Sequence, residues 1–154
     1  MTKLERSFLV GKRLCALDFG LRRIGVAVCD EMHIVVSTRP VIENTPDVLQ
    51  KLVACFSADR TEVVIVGVPR HHDDRVTPII ETIERFVTEL RLHTSLPVYE
   101  ADEAFSTKEA RSIMIATGVK KKKRQTKGVK DQMAAAVILR DVIDEVRSES
   151  PQQL

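Results

Sequence analysis

Residues 13–29, RLCALDFGLRRIGVAVC, contain two apolar runs on either side of a short turn. Runs 13–18 and 24–29 each have the length and apolar character of a buried strand. Because only five residues separate the runs, they are predicted to form an antiparallel hairpin. Gly20 is expected to permit the turn, and Gly25 a close approach of another backbone.

The rest of the chain alternates between strand and helix patterns, with no linker and no repeat. The predicted elements are a third strand at 34–37, strands at 62–66 and 97–101, and helices beginning at Thr45–Pro46, at Thr77–Pro78, at Ser106 and near Asp131. The order β-β-β-α-β-α-β-α-α predicts an α/β fold with a mixed five-stranded sheet flanked by helices. A length of 154 residues suits one domain, predicted to span residues 1–154 with flexible termini.

The composition, 44% hydrophobic and 30% charged, is typical of a soluble globular protein. No segment reaches the length of a membrane-spanning helix, and residues 1–10 lack the core of a signal peptide. We therefore expect a cytoplasmic protein, present as a monomer or a homodimer. Cys15, Cys29 and Cys55 lie in apolar stretches without metal-binding spacing, so they are expected to pack in the core.

Basic residues are concentrated in residues 120–130, KKKKRQTKGVK, which contain seven of the 24 lysines and arginines and no acid. Outside this segment 17 basic residues stand against 22 acidic ones, which leaves a net charge of −5. A cationic loop on an otherwise acidic protein attracts a polyanion locally, although many such runs are only solvated loops. The predicted contacts with nucleic-acid phosphates are Lys121, Lys122, Lys123, Arg124 and Lys127.

Three carboxylates lie at the ends of predicted elements. Asp18 ends the first strand, Glu103 follows the fifth strand, and Asp131 begins the last helix. In open α/β sheets, ligands bind at the edge formed by the C-terminal ends of the strands. Carboxylates at that edge can hold Mg²⁺ or Mn²⁺, which polarises a phosphoryl group and activates water. Together with the basic segment, these acids predict a metal-dependent nuclease.

Each acid also has a purely structural explanation. Asp18 could cap the turn before Gly20, and Asp131 could be the N-cap of the last helix. Asp102 competes with Glu103, because adjacent residues of a strand face opposite sides and only one can point into the crevice.

Four stretches of the chain resemble the signature blocks of the YqgF/RuvX family, in the family's order and spacing. They are ALDFG (16–20) with RIGVAV (23–28), VGVP (66–69), DE (102–103) and KGVKDQ (127–132). The resemblance covers nearly the whole chain and implies a ribonuclease H-like fold related to Holliday-junction resolvases. It also implies a nuclease that trims the 5′ end of the small-subunit ribosomal RNA precursor in the bacterial cytoplasm.

The resemblance places the family's catalytic acids at Asp18, Glu103 and Asp131, which favours Glu103 over Asp102. We therefore predict that Asp18 bridges the bound ions, Mg²⁺ or Mn²⁺, and that Glu103 and Asp131 are flanking ligands. The chain departs from the family pattern at Leu21 (usually Thr), at residues 73–75 (Asp-Asp-Arg instead of Asp-Gly-Ser) and at Ala104 (usually Arg). Because these positions lie beside the predicted cleft, phosphate positioning is expected to differ from the family's.

Two other classes of protein stay open. The first strand and its turn also resemble the first phosphate loop of actin-like ATPases, although those proteins need two such domains around the nucleotide. Alternatively, the basic segment binds nucleic acid and the acids have no catalytic role. A manganese titration separates the classes, because a nuclease should bind the ion through Asp18, an ATPase should need ATP, and a binding module should ignore the ion.

Overall fold

The computed structural model describes residues 3–69, 76–103 and 127–149. Within these ranges the chain forms four helices and five strands. In chain order they are α1 (Lys3–Leu9), β1 (Leu14–Phe19), β2 (Arg23–Cys29), β3 (Val36–Glu43), α2 (Val48–Ala58), β4 (Val63–Pro69), α3 (Pro78–His93), β5 (Val98–Glu103) and α4 (Lys127–Glu149). In these ranges the predicted order of strands and helices is confirmed, except that the sequence did not predict α1. The helix predicted at Ser106 lies outside the described residues.

The five strands form one mixed sheet in the order β3-β2-β1-β4-β5. As predicted, β1 pairs antiparallel with β2. β2 also pairs antiparallel with β3. β1 pairs parallel with β4, and β4 pairs parallel with β5. The C-terminal ends of β1, β4 and β5, at Phe19, Pro69 and Glu103, therefore meet at one edge of the sheet, which we call the carboxyl edge.

Successive side chains of each strand point to opposite faces of the sheet, so the core has two layers. Cys15 and Leu17 of β1 belong to the layer formed with α2 and α3. Leu14 and Ala16 belong to the layer formed with α1 and α4. Asp18 follows Ala16 by two residues, so it lies on the face of the sheet that α4 covers. We call this side the α4 face.

Two hydrogen bonds fix the direction of α4 across the sheet. Near its start, the Gln132 Nε2 donates to the carbonyl oxygen of Arg39 in β3, at 2.8 Å. Near its end, the Arg147 Nη2 donates to the carbonyl oxygen of His33, at 2.6 Å. Arg39 pairs with Val26 toward the carboxyl edge, whereas His33 precedes β3 at the opposite end of the sheet. The first turns of α4 therefore lie toward the carboxyl edge.

The third strand differs from its prediction of residues 34–37, because β3 begins later and continues to Glu43. The segment before β3 forms a turn, because the carboxylate of Asp30 accepts three backbone hydrogen bonds from it. The donors are the N–H groups of Met32 (3.1 Å), Ile34 (2.9 Å) and Val35 (2.7 Å). The bond from Val35 is the largest of the effects that lower the pKa of Asp30. Pro40 does not end β3, because this strand is at the sheet edge, where the pairing with β2 shifts register.

The second helix also begins later than predicted. Thr45 and Pro46 are not its N-cap and first residue, since α2 begins at Val48 with Asp47 as the N-cap. The Thr45 hydroxyl instead donates to the Asp47 carboxylate, and its carbonyl oxygen accepts from the Val48 N–H at 3.0 Å. A turn stabilised by these bonds therefore precedes the helix. The prediction for α3 is confirmed, with Thr77 as its N-cap and Pro78 as its first residue.

The last helix begins four residues before the position predicted from the sequence. Asp131 is the fifth residue of α4, so the alternative that it is the helix N-cap is wrong. The prediction that the basic segment is a loop as far as Lys130 is also wrong, because residues 127–130 are helical. Lys130 is exposed there. Residues 120–126 lie outside the described ranges.

Two of the three cysteines lie in the core, as expected. Cys15 and Cys29 are buried, and Cys55 is half-buried. Burial raises the pKa of the Cys29 thiol to about 11, so this group is a neutral thiol at physiological pH. Of the helices in the described ranges, none is both long enough and apolar enough to cross a membrane.

Candidate functional site

Asp18 is half-buried at the next-to-last position of β1. Its cross-strand partner in β2 is Gly25. On the other side, Leu17 pairs with Val66, so the parallel register brings Asp18 level with Gly67 of β4. Neither of these two neighbours has a side chain that could cover the carboxylate. The carboxylate of Asp18, an oxygen ligand of the kind that a divalent cation prefers, therefore lies between two residues without side chains on the α4 face.

The turn after Asp18 is held by a close backbone contact and by Asn44. A Cβ added at Gly20 would lie 2.4 Å from the carbonyl oxygen of Arg23, so only glycine fits this turn without a shift. The Asn44 Nδ2 donates to the Gly20 carbonyl oxygen at 2.9 Å, and the Asn44 N–H donates to the Arg22 carbonyl oxygen at 2.8 Å. Asn44 thus ties the end of β3 to the turn that carries Asp18.

Sequence reasoning did not identify Asn44 as a site residue. Its side-chain partner, Gly20, is 24 residues away in the chain, and no local pattern predicts that contact. The turn is also anchored on the opposite face, where the rings of Phe19 and Phe86 have centroids 4.9 Å apart. These contacts limit the movement of the backbone around Asp18.

The register of β5 separates the positions of Asp102 and Glu103. Ala101 is buried in the layer that contains α4, and it pairs with Gly67, the residue level with Asp18. Successive positions of a strand lie on opposite faces of the sheet. Position 103 is therefore on the α4 face, like position 101, and position 102 is on the other face. Glu103 is the last residue of β5, so the prediction that the strand ends at residue 101 and that Glu103 follows it is wrong.

Position 131 can be placed from the spacing of the buried residues of α4. Ala135, Ile138 and Val142 are buried in the layer between α4 and the sheet. Residue 131 precedes Ala135 by four positions and so falls on the same stripe of the helix. The Gln132 hydrogen bond holds this turn against β3. Position 131 is therefore at the α4 face, toward the carboxyl edge.

The fold thus brings the backbone positions of Asp18, Glu103 and Asp131 to the same face and the same end of the sheet. The side chains of Glu103 and Asp131 are outside what the structure describes, and among the described side chains no group of three acids, histidines or cysteines could hold a metal ion. The assignment of the three acids as metal ligands stays a prediction. Lys121, Lys122, Lys123 and Arg124 also lie outside the described ranges.

Solved structures with the same fold are resolvases. The chain superimposes on Thermus thermophilus RuvC in complex with a Holliday-junction substrate with a TM-score of 0.56 and 15% sequence identity, covering 89% of this chain and 97% of RuvC. It also matches fowlpox virus resolvase in complex with Holliday-junction DNA, with a TM-score of 0.55, 14% identity, and coverage of 88% and 97%. The fold is therefore the ribonuclease H-like fold of these proteins, as the resemblance implied.

Residues 12–145 match the family described as RuvX, Holliday junction resolvase. A protein of Christiangramia forsetii named "Putative pre-16S rRNA nuclease" is 36% identical over 82% of this chain and 94% of its own. A Geobacillus kaustophilus protein of the same name is 37% identical over 88% of this chain and 99% of its own. This chain belongs to the RuvX family.

Proposed function

We propose that this protein is a divalent-metal-dependent nuclease that hydrolyses phosphodiester bonds at the 5′ end of pre-16S ribosomal RNA in the cytoplasm. The observation that carries the proposal is the position of Asp18, a carboxylate between two glycines at the carboxyl edge. Membership of the RuvX family and the names of the relatives support this reaction and this substrate.

Asp18, Glu103 and Asp131 are the proposed ligands of Mg²⁺ or Mn²⁺. Asp18 takes the bridging role because its strand is at the centre of the sheet, between β2 and β4. The bound ions would polarise the scissile phosphoryl group and supply a water of lowered pKa. The turn at Gly20 and the Asn44 bonds restrain the backbone that carries Asp18, which reduces the reorganisation needed during the reaction.

The basic segment is the proposed electrostatic contact with the nucleic acid. Lys127 is the first residue of α4, and the segment enters the helix that contains Asp131. Lys121, Lys122, Lys123 and Arg124 would contact phosphates close to the proposed metal ligands. Such contacts position the strand without reading its sequence.

A direct cleavage assay tests this function. The purified protein is incubated with Mg²⁺ or Mn²⁺ and either a labelled pre-16S rRNA fragment that carries the 5′ extension or a four-way DNA junction. We expect the RNA extension to be cut and the reaction to stop with a chelator. Cleavage of the junction alone would show that this chain has the resolvase activity named for its family. A protein that cuts neither substrate with either ion contradicts the proposal.

The choice between the adjacent acids of β5 gives a second prediction. Glu103→Gln is expected to reduce cleavage at least about tenfold more than Asp102→Asn, because only position 103 alternates onto the face of Asp18. Both changes remove one negative charge and preserve side-chain size, so each is the control for the other. Initial rates at several Mn²⁺ concentrations measure the effect. A larger loss in Asp102→Asn would move the metal ligand to Asp102.

A further inference from the structure

Arg23 is close to Asp18 and on the same face of the sheet. It is the first residue of β2, and it precedes Gly25, the cross-strand partner of Asp18, by two positions. Ile24 packs in the layer with α2 and α3, so alternation puts Arg23 on the α4 face with Asp18. Diagonal neighbours of this kind are separated by about 7 to 8 Å, a distance that an arginine side chain can span.

The guanidinium of Arg23 has no hydrogen-bond or ion-pair partner among the residues that the structure describes. Glu43 of β3 is directly opposite Arg23, yet no ion pair joins these two side chains. Two other described arginines, by contrast, have structural partners. Arg39 forms a two-pronged contact with the Asp59 carboxylate, and the Arg91 Nη2 donates to the Val98 carbonyl oxygen at 2.8 Å.

The backbone of Arg23 is held in place even though its side chain has no described partner. Its carbonyl oxygen is the atom that excludes a side chain at Gly20. The preceding carbonyl, of Arg22, accepts the hydrogen bond from the Asn44 N–H. These contacts fix the backbone from which the Arg23 side chain extends relative to the turn after Asp18.

We propose that Arg23 binds a phosphate group of the nucleic-acid backbone beside the bond that is cut at Asp18. The guanidinium presents paired N–H donors that match two phosphate oxygens. A phosphodiester of the nucleic-acid backbone would be held between the arginine and the proposed metal ligands. The link to the cut bond rests on the proposed nuclease function, whereas phosphate binding by Arg23 does not.

Binding is measured with Asp18→Asn protein, so that no cleavage interferes, using the same labelled pre-16S rRNA fragment. Adding Arg23→Gln is expected to raise the dissociation constant about tenfold, as for loss of a hydrogen bond to a charged group. The slope of log affinity against log salt should fall by about 0.7 to 0.9, the value for one phosphate contact. Arg23→Lys should restore the salt slope, because it keeps the charge, but only part of the affinity.

Two matched variants control for charge and for folding. Arg85→Gln removes the same charge from an exposed position on α3, on the other side of the sheet, and should leave the dissociation constant unchanged. Glu43→Gln removes the acid opposite Arg23 and should not weaken binding. Unchanged affinity and salt slope in Arg23→Gln would overturn the proposal. A loss of affinity that Arg23→Lys does not relieve and that accompanies a lower Tm would also overturn it, because it would indicate a structural role.

The outcome is separable from that of the proposed function. If wild-type protein cuts neither substrate but Arg23→Gln binds RNA more weakly, the nuclease proposal fails and the phosphate site stands. If wild-type protein cuts RNA, and Arg23→Gln cuts and binds as wild type does, only the phosphate site is rejected.

Discussion

Asp18→Asn is expected to reduce metal-dependent cleavage at least about a hundredfold and to leave the fold intact. Changes to the partners of metal ligands typically cost about 10- to 100-fold in affinity or activity, so loss of a proposed bridging ligand should cost more. The substitution removes a negative charge but preserves shape, and Asp18 is only half-buried. Initial cleavage rates and a manganese titration measure the effect, and thermal unfolding checks the fold.

Asp144→Asn is the matched control for this substitution. Asp144 is exposed in the C-terminal part of α4, toward the end of the sheet opposite the carboxyl edge. The variant has the same change in net charge and should cleave as wild type does. If Asp18→Asn retained the wild-type rate and the wild-type affinity for manganese, Asp18 could not be the metal ligand.

Gly20→Ala is expected to destabilise the protein by about 1 to 3 kcal/mol, the usual range for overpacking. The added Cβ would lie 2.4 Å from the Arg23 carbonyl oxygen. A backbone atom cannot move aside as the end of a flexible side chain can. The turn must therefore open, which displaces both Asp18 and the acceptor of the Asn44 hydrogen bond. Urea unfolding should show the loss of stability, and cleavage at saturating metal should fall at a temperature where the variant is folded.

Gly11→Ala separates this steric effect from backbone strain. Gly11 has φ +76°, and a Cβ added there meets nothing within 4 Å. Alanine at this φ is expected to cost about 1 to 2 kcal/mol, at the end of the sheet opposite the carboxyl edge. Gly11→Ala should therefore lose stability and keep full cleavage activity. If Gly20→Ala, like Gly11→Ala, lost stability but kept full cleavage activity, the turn would not position Asp18.

Local chemistry in the sequence was sufficient for the hairpin and for the α/β order. The runs 13–18 and 24–29 are apolar because the central strands are covered on both faces, and a gap of five residues leaves room only for a turn. Thr77 and Pro78 begin α3 as predicted. The late starts of β3 and α2 were missed because side-chain hydrogen bonds of Asp30 and Thr45 compete locally with strand and helix.

By itself, the sequence determined the types of residue at the candidate site and the elements that contain them. Tertiary structure decided which of these residues share a face. The choice of position 103 over 102 depends on the register of β5 against β4, and the placement of position 131 depends on how α4 crosses the sheet. The contact of Asn44 with Gly20 and the proximity of Arg23 to Asp18 also arise from strand pairing. Each depends on contacts between elements distant in the chain, which hydrophobic periodicity does not specify because it records only whether a side chain is buried.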